Sequence, residues 1–271
     1  MKGKASTIIL TALFIIGLSL LLYPSVSDYW NSFHQSRAIL NYAQNISSMD
    51  NSEYQSIIDS ALEYNSRLAE TGVKWVLEDS ERELYDSELN VDRTGNMGYI
   101  DIPKIKITLP IYHGTGASVL QTSIGHLEGT SLPVGGSSSH CVLSGHRGLP
   151  SARLFTDLDQ LGRGDLIYIT VLNQLLVYQV DQISVVLPAE VDAVNIEEGR
   201  DLCTLLTCTP YGINTHRLLV RAHRIQNAQG PAKVTADAIQ LEPRFIAPFL
   251  AIPVLLMLVI FTFATSGRKR R

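Results

Sequence analysis

The sequence has few of the residues, and none of the motifs, that mark metal and nucleotide sites. It carries three cysteines in 271 residues, and none of them shows the CxxC or cysteine–histidine spacing of a zinc site. It has no P-loop, no dinucleotide-binding glycine fingerprint and no internal repeat. We therefore predict a protein that works without a metal and without another cofactor.

The three cysteines are also odd in number, which leaves at least one thiol free. Cys141 and Cys203 lie inside apolar runs, where a cysteine usually serves as a small buried hydrophobic residue. Strand alternation turns Cys203 away from the face on which Cys208 lies. We therefore predict that Cys208 is the cysteine available for chemistry.

Charge is missing from a long segment near the start of the chain. Residues 6–23 follow Lys2 and Lys4 and are about long enough to cross a bilayer as a helix. We predict an uncleaved membrane anchor. The alternative is a cleaved signal peptide, because residues 23–27 weakly resemble a cleavage site.

A second uncharged segment, residues 245–264, precedes four basic residues and is typical of a transmembrane helix with a cytoplasmic basic end. A cell-wall sorting signal has a similar end, but no LPxTG-like pentapeptide precedes this one. Basic residues at both ends predict a cell-membrane protein with both termini cytoplasmic and an extracellular domain between them. Without the six terminal positive charges the net charge moves from −4 to −10, which argues against a nucleic-acid partner.

Between its apolar ends the chain changes from helical to β-rich patterning. Apolar residues recur at three- and four-residue steps over 54–68, which indicates an amphipathic helix. Beyond position 98, short β-rich runs alternate with turn clusters, which favours a closed antiparallel or mixed barrel. The predicted strands cover 100–102, 105–112, 142–144, 166–172, 175–186, 202–208 and 217–223. We predict a mostly β protein with a transmembrane anchor (1–27), a helical extension (28–97), a catalytic barrel (98–226), a linker (227–244) and a transmembrane helix with a basic tail (245–271).

The strongest chemical signal is the stretch TLLTCTPYGINTHR, residues 204–217, which has the pattern strand, loop, strand. Such a hairpin brings Cys208 and Arg217 together at one end of a sheet. A thiolate is a nucleophile that a neighbouring cation or base activates. Arginine stays charged and can hold a carbonyl oxygen as negative charge develops on it. Thr207 is a weaker candidate for shaping the oxyanion site.

A proton carrier is still needed, and the best candidate is His146. It follows an apolar run and is flanked by glycines that allow close backbone approach. It precedes Cys208 by 62 positions, so only the fold can bring the two together. The alternative histidines are His113, His126 and His216, of which His216 is the main rival because it lies in the loop next to the cysteine. The alternatives to Arg217 are Arg147, Arg153 and Arg221.

The motifs TLLTCTPYGINTHR, SGHRGLPSARLF and HLEGTSLPVGG resemble those of the sortases, the membrane-anchored cysteine transpeptidases of Gram-positive bacteria, and most closely the class C, pilin-polymerising group. The resemblance covers residues 98–224. It implies an eight-stranded β-barrel with His146, Cys208 and Arg217 as catalytic residues. It also implies that an LPxTG-like sorting signal on a pilin is cleaved through a thioester, and that an acceptor lysine of the next pilin then forms an isopeptide bond.

The resemblance further implies a lid, a loop before the barrel whose Asp-Pro-aromatic triplet covers the active site. This sequence has no such triplet in the acidic segment 72–92. The nearest candidate is Trp75, and the alternative is that Trp75 packs on the core.

Three other functions fit the residues. A sortase of another class would attach proteins to the cell-wall precursor, and a cysteine peptidase would use water as the acceptor. A membrane-held binding module would need no catalysis at all. Transfer of a sorting peptide to an added amine distinguishes these functions.

Overall fold

Three helices precede the barrel. The computed structural model describes residues 2–225, in which α1 is Lys2–Ser47, α2 is Asn51–Thr71 and α3 is Asp79–Ser87. The carboxylate of Asp50 accepts hydrogen bonds from the backbone amides of Ser52 and Glu53 at 2.8 and 2.9 Å, which fixes the start of α2. The predicted linker, 227–244, and the predicted second transmembrane helix, 245–264, lie outside the described residues.

Helix α1 joins the predicted anchor and the start of the predicted extension into one element. It has 46 residues and is therefore about 69 Å long. Pro24 lies inside the helix and removes one backbone hydrogen bond without ending it. Within the described part of the chain, α1 is the one helix long and apolar enough, by length and composition, to cross a membrane.

Eight strands form a closed barrel. The sequence pattern predicted a closed barrel with seven of these strands, and the sortase resemblance implied eight. The strands are β1 (Asn96–Ile102), β2 (Ile107–His113), β3 (Ile124–His126), β4 (Ser139–Ser144), β5 (Leu166–Val171), β6 (Gln174–Val186), β7 (Asp201–Thr209) and β8 (His216–Arg224). Their order around the barrel is β1-β2-β3-β4-β7-β8-β6-β5. The pairs β2–β3 and β4–β7 are parallel, and the other neighbours are antiparallel. A short helix, α4 (Ala117–Leu120), precedes β3.

The strand directions define two ends of the barrel. At the upper end β1, β4, β6 and β7 finish while β2, β3, β5 and β8 begin; at the lower end the reverse holds. The upper end therefore carries the connection 145–165 between β4 and β5 and the loop 210–215 between β7 and β8. The candidate catalytic residues from the sequence all belong to this end.

The second half of α1 runs down the outside of the barrel from the upper to the lower end. Near the upper end, the Asp28 carboxylate accepts from the backbone amide of Arg153 at 2.9 Å, and the Asn31 amide donates to the carbonyl of Ser151 at 2.7 Å. Near the lower end, the buried Tyr42 hydroxyl donates to the carbonyl of Met97 at 2.9 Å and accepts from the amide of Leu172 at 2.8 Å. The helix is thus held at both ends of the barrel.

Helix α3 is held on the barrel by buried Tyr85. Its hydroxyl lies 3.0 Å from Nδ1 of His126, and it accepts from the amide of Gly114 at 2.9 Å. Nε2 of His126 lies 2.8 Å from the carbonyl of Ser131, so the neutral ring donates at Nε2 and accepts at Nδ1. Burial lowers the pKa of His126 to about 4.

Two parts of the barrel differ from the sequence predictions. Strand β3 was missed because it is three residues long and contains Gly125, which gives almost no periodic signal. The proline, glycine and serine residues of segment 133–139 are typical of a surface loop, but Pro133, Val134 and Gly135 are buried. The reason is α2: the Asn65 amide donates to the carbonyls of Leu132 and Gly135 at 3.1 and 3.2 Å and holds this segment beneath the helix.

Candidate active site

His146 is brought next to the β7 strand by the parallel pairing of β4 with β7. Partners in this ladder differ by 62 positions, up to Ser144 beside Leu206. The chain continues in register beyond the strand, because the Gly145 amide donates to the carbonyl of Leu206 at 3.1 Å and the Thr207 hydroxyl donates to the carbonyl of Gly145 at 2.7 Å. This register places position 146 beside position 208.

Cys208 and Arg217 are direct partners in the antiparallel β7–β8 ladder. His146, Cys208 and Arg217 therefore lie at one level on three adjacent chain segments at the upper end. Since side chains alternate along strands, all three project from the outer face, opposite to the interior residues Cys203 and Leu205. All three are partly buried, so the structure gathers the predicted triad at an accessible site.

A second, smaller apolar cluster lies on the outer face of the barrel, on strands that also carry or lead to this triad. Its buried members are Val142 on β4 and Leu219 on β8, which pack with Val194 from the connection between β6 and β7. Partly buried apolar side chains extend it on both sides: Leu127, Val186 and Leu206. These partly buried side chains, separate from the barrel interior, can contact the apolar part of a peptide bound next to the thiol.

The segment that carries Val194 is held in place by a buried histidine. Nδ1 of His140 lies 2.7 Å from the carbonyl of Asn195, next to Val194 in sequence, and Nε2 lies 2.7 Å from the hydroxyl of Thr204. Burial lowers the pKa of His140, which favours the neutral ring. This role could not be predicted from the sequence, because the connection from 187 to 200 has little periodicity and His140 comes next to it only through the fold.

Among the arginines considered for the site, Arg217 differs in having no carboxylate partner within the part of the chain that the structure describes. Its guanidinium donates to the carbonyls of Asn214 and His216 at 3.3 and 3.2 Å. The competing arginines are all in ion pairs: Arg147 with Asp159, Arg153 with Asp157, and Arg221 with Asp181 and Glu197. Of these arginines, Arg217 is therefore the one whose guanidinium is best able to bind an anionic oxygen of a substrate.

The other candidate histidines, His113, His126 and His216, have contacts or orientations that separate them from Cys208 and Arg217. The two ring nitrogens of His113 lie 2.9 and 2.8 Å from the carbonyls of Gly95 and Glu88, and His126 is fully buried. His216 is the cross-strand partner of Thr209, one position from the Cys208–Arg217 pair, so alternation turns its side chain to the opposite face of the sheet. The geometry favours His146.

The other two cysteines occupy the barrel interior. Cys141 and Cys203 are register partners on β4 and β7, and both are buried and free. Burial, and then the neighbouring Cys203 thiol, raises the pKa of Cys141 well above its usual value. These thiols are suited to packing and Cys208 to chemistry.

The two weaker site predictions have clear positions but remain predictions. The Thr207 side chain is buried, and its hydroxyl proton is directed to the carbonyl of Gly145, so it supports the segment carrying His146. Trp75 lies in the loop between α2 and α3 and is 44% exposed. The neighbouring Lys74 amide donates to the carbonyl of Gly129 at 3.1 Å, which ties this loop to the connection between β3 and β4, towards the lower end.

Comparisons with known proteins agree with this architecture. A model of the sortase domain matches residues 100–225. The crystal structure of sortase C1 from Streptococcus agalactiae is 56% identical, with a TM-score of 0.70, and the match covers 71% of this chain and all of that one. Sortase C from Streptococcus pneumoniae is 40% identical, with a TM-score of 0.64 and coverage of 72% of this chain and 100% of that chain. Sortase C from Clostridium perfringens, solved with a C-terminal cell wall sorting motif, is 43% identical, with a TM-score of 0.63 and coverage of 70% and 99%.

A curated relative, sortase A from Streptococcus agalactiae, is 32% identical over 129 residues, which are 46% of this chain and 51% of that protein. The chain thus spans about half the length of this relative. The three solved structures named above are matched over nearly their whole length, and each is named sortase C or sortase C1. On fold, domain match and identity, the chain belongs to the sortase family, the family of cysteine transpeptidases.

Proposed function

We propose that this protein is a membrane-anchored transpeptidase that joins pilin subunits, with Cys208 as nucleophile, His146 as proton carrier and Arg217 as the group that holds the substrate or the oxyanion. The observation that carries the proposal is the placement of these three side chains at one level on one outer face of the barrel. The pilin role draws support from the class C neighbours, of which the Streptococcus pneumoniae structure is described in terms of pilin substrate specificity.

The first half-reaction cleaves the sorting signal. The Cys208 thiolate attacks the Thr–Gly carbonyl of an LPxTG-like peptide, and Arg217 stabilises the negative charge that develops on its oxygen. Protonated His146 gives its proton to the departing glycine amine. The carbon–nitrogen bond breaks, a carbon–sulfur bond replaces it, and a thioester with neutral His146 results.

The second half-reaction transfers the acyl group to an amine. The ε-amine of an acceptor lysine on the next pilin attacks the thioester, and His146 accepts the proton that the amine loses. An isopeptide bond forms while the Cys208 thiolate and the protonated imidazole are restored. Acyl transfer conserves the energy of the cleaved amide, so the two steps need no nucleotide.

The location of the protein is also part of the proposal. Helix α1 has the length and composition of a membrane anchor, and the predicted second transmembrane helix would tether the domain again. We infer that the barrel is extracellular and that both termini are cytoplasmic, from the basic residues at each end of the sequence.

A donor peptide with an LPxTG-like sequence, incubated with the full chain with and without a lysine-bearing acceptor peptide, tests the function. We expect mass spectrometry to find an acyl group on Cys208 and a product in which the donor is joined to the lysine. The matched variants His146→Ala and His216→Ala separate the two histidines, because only the first should abolish transfer. Release of acid alone in the presence of amine would indicate a peptidase, and transfer only to a cell-wall precursor amine would indicate a sortase of another class.

A further inference from the structure

The apolar part of α1 leaves the barrel at the end that carries the candidate active site. Asp28 and Asn31 hold the helix against Arg153 and Ser151 at the upper end, in the connection that carries His146. Tyr23, the last residue of the uncharged segment 6–23, lies five positions before Asp28, which is about 7.5 Å along a helix. The helix is continuous through this region, so the upper end of the barrel lies within a short, fixed distance of the anchor.

The helix remains apolar and aromatic where it passes the upper end. Trp30 and Phe33 are 63% and 52% exposed. Both come after Asp28, the residue at which α1 is first held on the barrel, and so both lie beside the barrel. Tryptophan is enriched at the level of lipid headgroups, where one side of the ring is apolar and the other is hydrated. The exposed side of α1 therefore carries residues typical of the membrane–water interface both in the segment that precedes the barrel and in the segment that runs beside it.

The barrel contributes its own exposed apolar side chains at the same end. Val185 and Leu187 at the end of β6 are 58% and 50% exposed, and Tyr211 and Ile213 in the loop between β7 and β8 are 60% and 68% exposed. A Cβ atom on Gly148 would come within 2.8 Å of the Tyr211 ring, so this loop contacts the connection that holds α1. A grouping of exposed apolar residues on one end of a domain usually marks an interaction surface.

Two basic side chains also lie at the upper end of the barrel. Lys106, in the connection between β1 and β2, and Arg163, before β5, are exposed and form no ion pair among residues 2–225. The same end also carries exposed carboxylates, such as Glu190, which accepts from the amide of Leu187 at 3.0 Å. The exposed apolar side chains and the course of α1, and not the charge, therefore indicate a membrane surface.

We propose that the upper end of the barrel is a membrane-docking surface, formed by Trp30, Val185, Leu187, Tyr211 and Ile213, that holds Cys208 near the headgroup layer. The inference rests on the proposed anchoring by α1. Its consequence concerns the substrate: a peptide that is bound at the membrane surface reaches Cys208 without leaving that surface.

Depth-dependent fluorescence quenching tests this proposal, because the chain has only two tryptophans. In a Trp30→Phe, Trp75→Phe background, a single tryptophan is introduced by Tyr211→Trp at the upper end or by Leu175→Trp near the lower end, where Leu175 is 40% exposed. Each full chain is reconstituted in vesicles of phosphatidylcholine and phosphatidylglycerol that contain brominated phosphatidylcholine. Ile213→Trp serves as a second upper-end probe should Tyr211→Trp fail to fold.

We expect the brominated lipid to reduce the fluorescence of the upper-end probe at least twofold and to leave that of Leu175→Trp nearly unchanged. Absence of quenching at both positions in a chain that stays in the vesicles would overturn the docking surface. An upper-end probe that is shielded from acrylamide but not quenched by brominated lipid would also overturn it, since a protein partner would then cover this end. Peptide transfer measured on the same samples reports separately on the proposed chemistry.

Discussion

Cys208 and Arg217 face each other as cross-strand partners in the β7–β8 ladder, and the guanidinium of Arg217 contacts only backbone carbonyls in the described part of the chain. This arrangement leaves a full positive charge beside the thiol without a carboxylate to neutralise it. The positive charge can therefore stabilise the thiolate and the oxyanion that forms when the thiolate attacks.

Arg217→Lys is expected to lower kcat for peptide transfer by about 10²- to 10³-fold, the usual effect of losing one oxyanion donor. Lysine keeps the charge but loses the fork of donors that arginine presents. Arg221→Lys is the matched control, because Arg221 lies on the same face of β8 but is paired with Asp181 and Glu197. It should lower the melting temperature and spare kcat. Equal kcat losses in the two variants would contradict a special role for Arg217.

Alkylation should distinguish Cys208 from the other two cysteines. We expect iodoacetamide to modify Cys208 in the folded chain and to leave Cys141 and Cys203 unmodified, because both are buried and the pKa of Cys141 is raised by burial. Peptide mapping by mass spectrometry before and after denaturation measures this directly. Modification of Cys141 in the native protein at a rate near that of Cys208 would be inconsistent with the packing of the barrel interior.

Thr207→Val should impair catalysis through the position of His146. Valine keeps the shape of threonine but cannot donate to the carbonyl of Gly145, and the lost hydrogen bond should cost about 1 kcal/mol of folding free energy. We expect kcat to fall severalfold with little change in KM, together with a shifted pH profile.

Thr207→Ser restores the hydroxyl and is the control for this effect. It should recover most of the kcat lost in Thr207→Val and return the pH profile towards that of the wild type. If serine and valine behave alike, the hydrogen bond to Gly145 is not what positions His146.

How well the sequence predicted each contact in this site depends on how far apart the two residues lie along the chain. Cys208 and Arg217 are joined by one short loop, so strand alternation and turn residues were sufficient to predict their approach. Position 146 comes beside position 208 through a parallel pairing across 62 positions, and a parallel register is not encoded in local periodicity. His146 was therefore identified by its motif, whereas the contact of His140 with Asn195, which has no motif, was missed.

The buried histidines predict how stability depends on pH. The pKa of His126 is lowered to about 4 from an ordinary value of 6.5, so between these values the unfolded chain binds a proton that the folded chain does not. Stability should therefore fall as the pH decreases from about 6.5 towards 4, by up to about 3 kcal/mol for His126. The lowered pKa of His140 acts in the same direction.

Thermal unfolding at pH 7.5 and pH 4.5 measures this effect, and a loss near 3 kcal/mol corresponds to roughly 6 to 12 °C in a domain of this size. His126→Gln removes the titrating ring. The variant should be less stable than the wild type at pH 7.5, because the hydrogen bonds to Tyr85 and Ser131 are disturbed, yet it should lose less stability on acidification. An unchanged pH dependence in His126→Gln would mean that His126 is not the buried group that takes up the proton on unfolding.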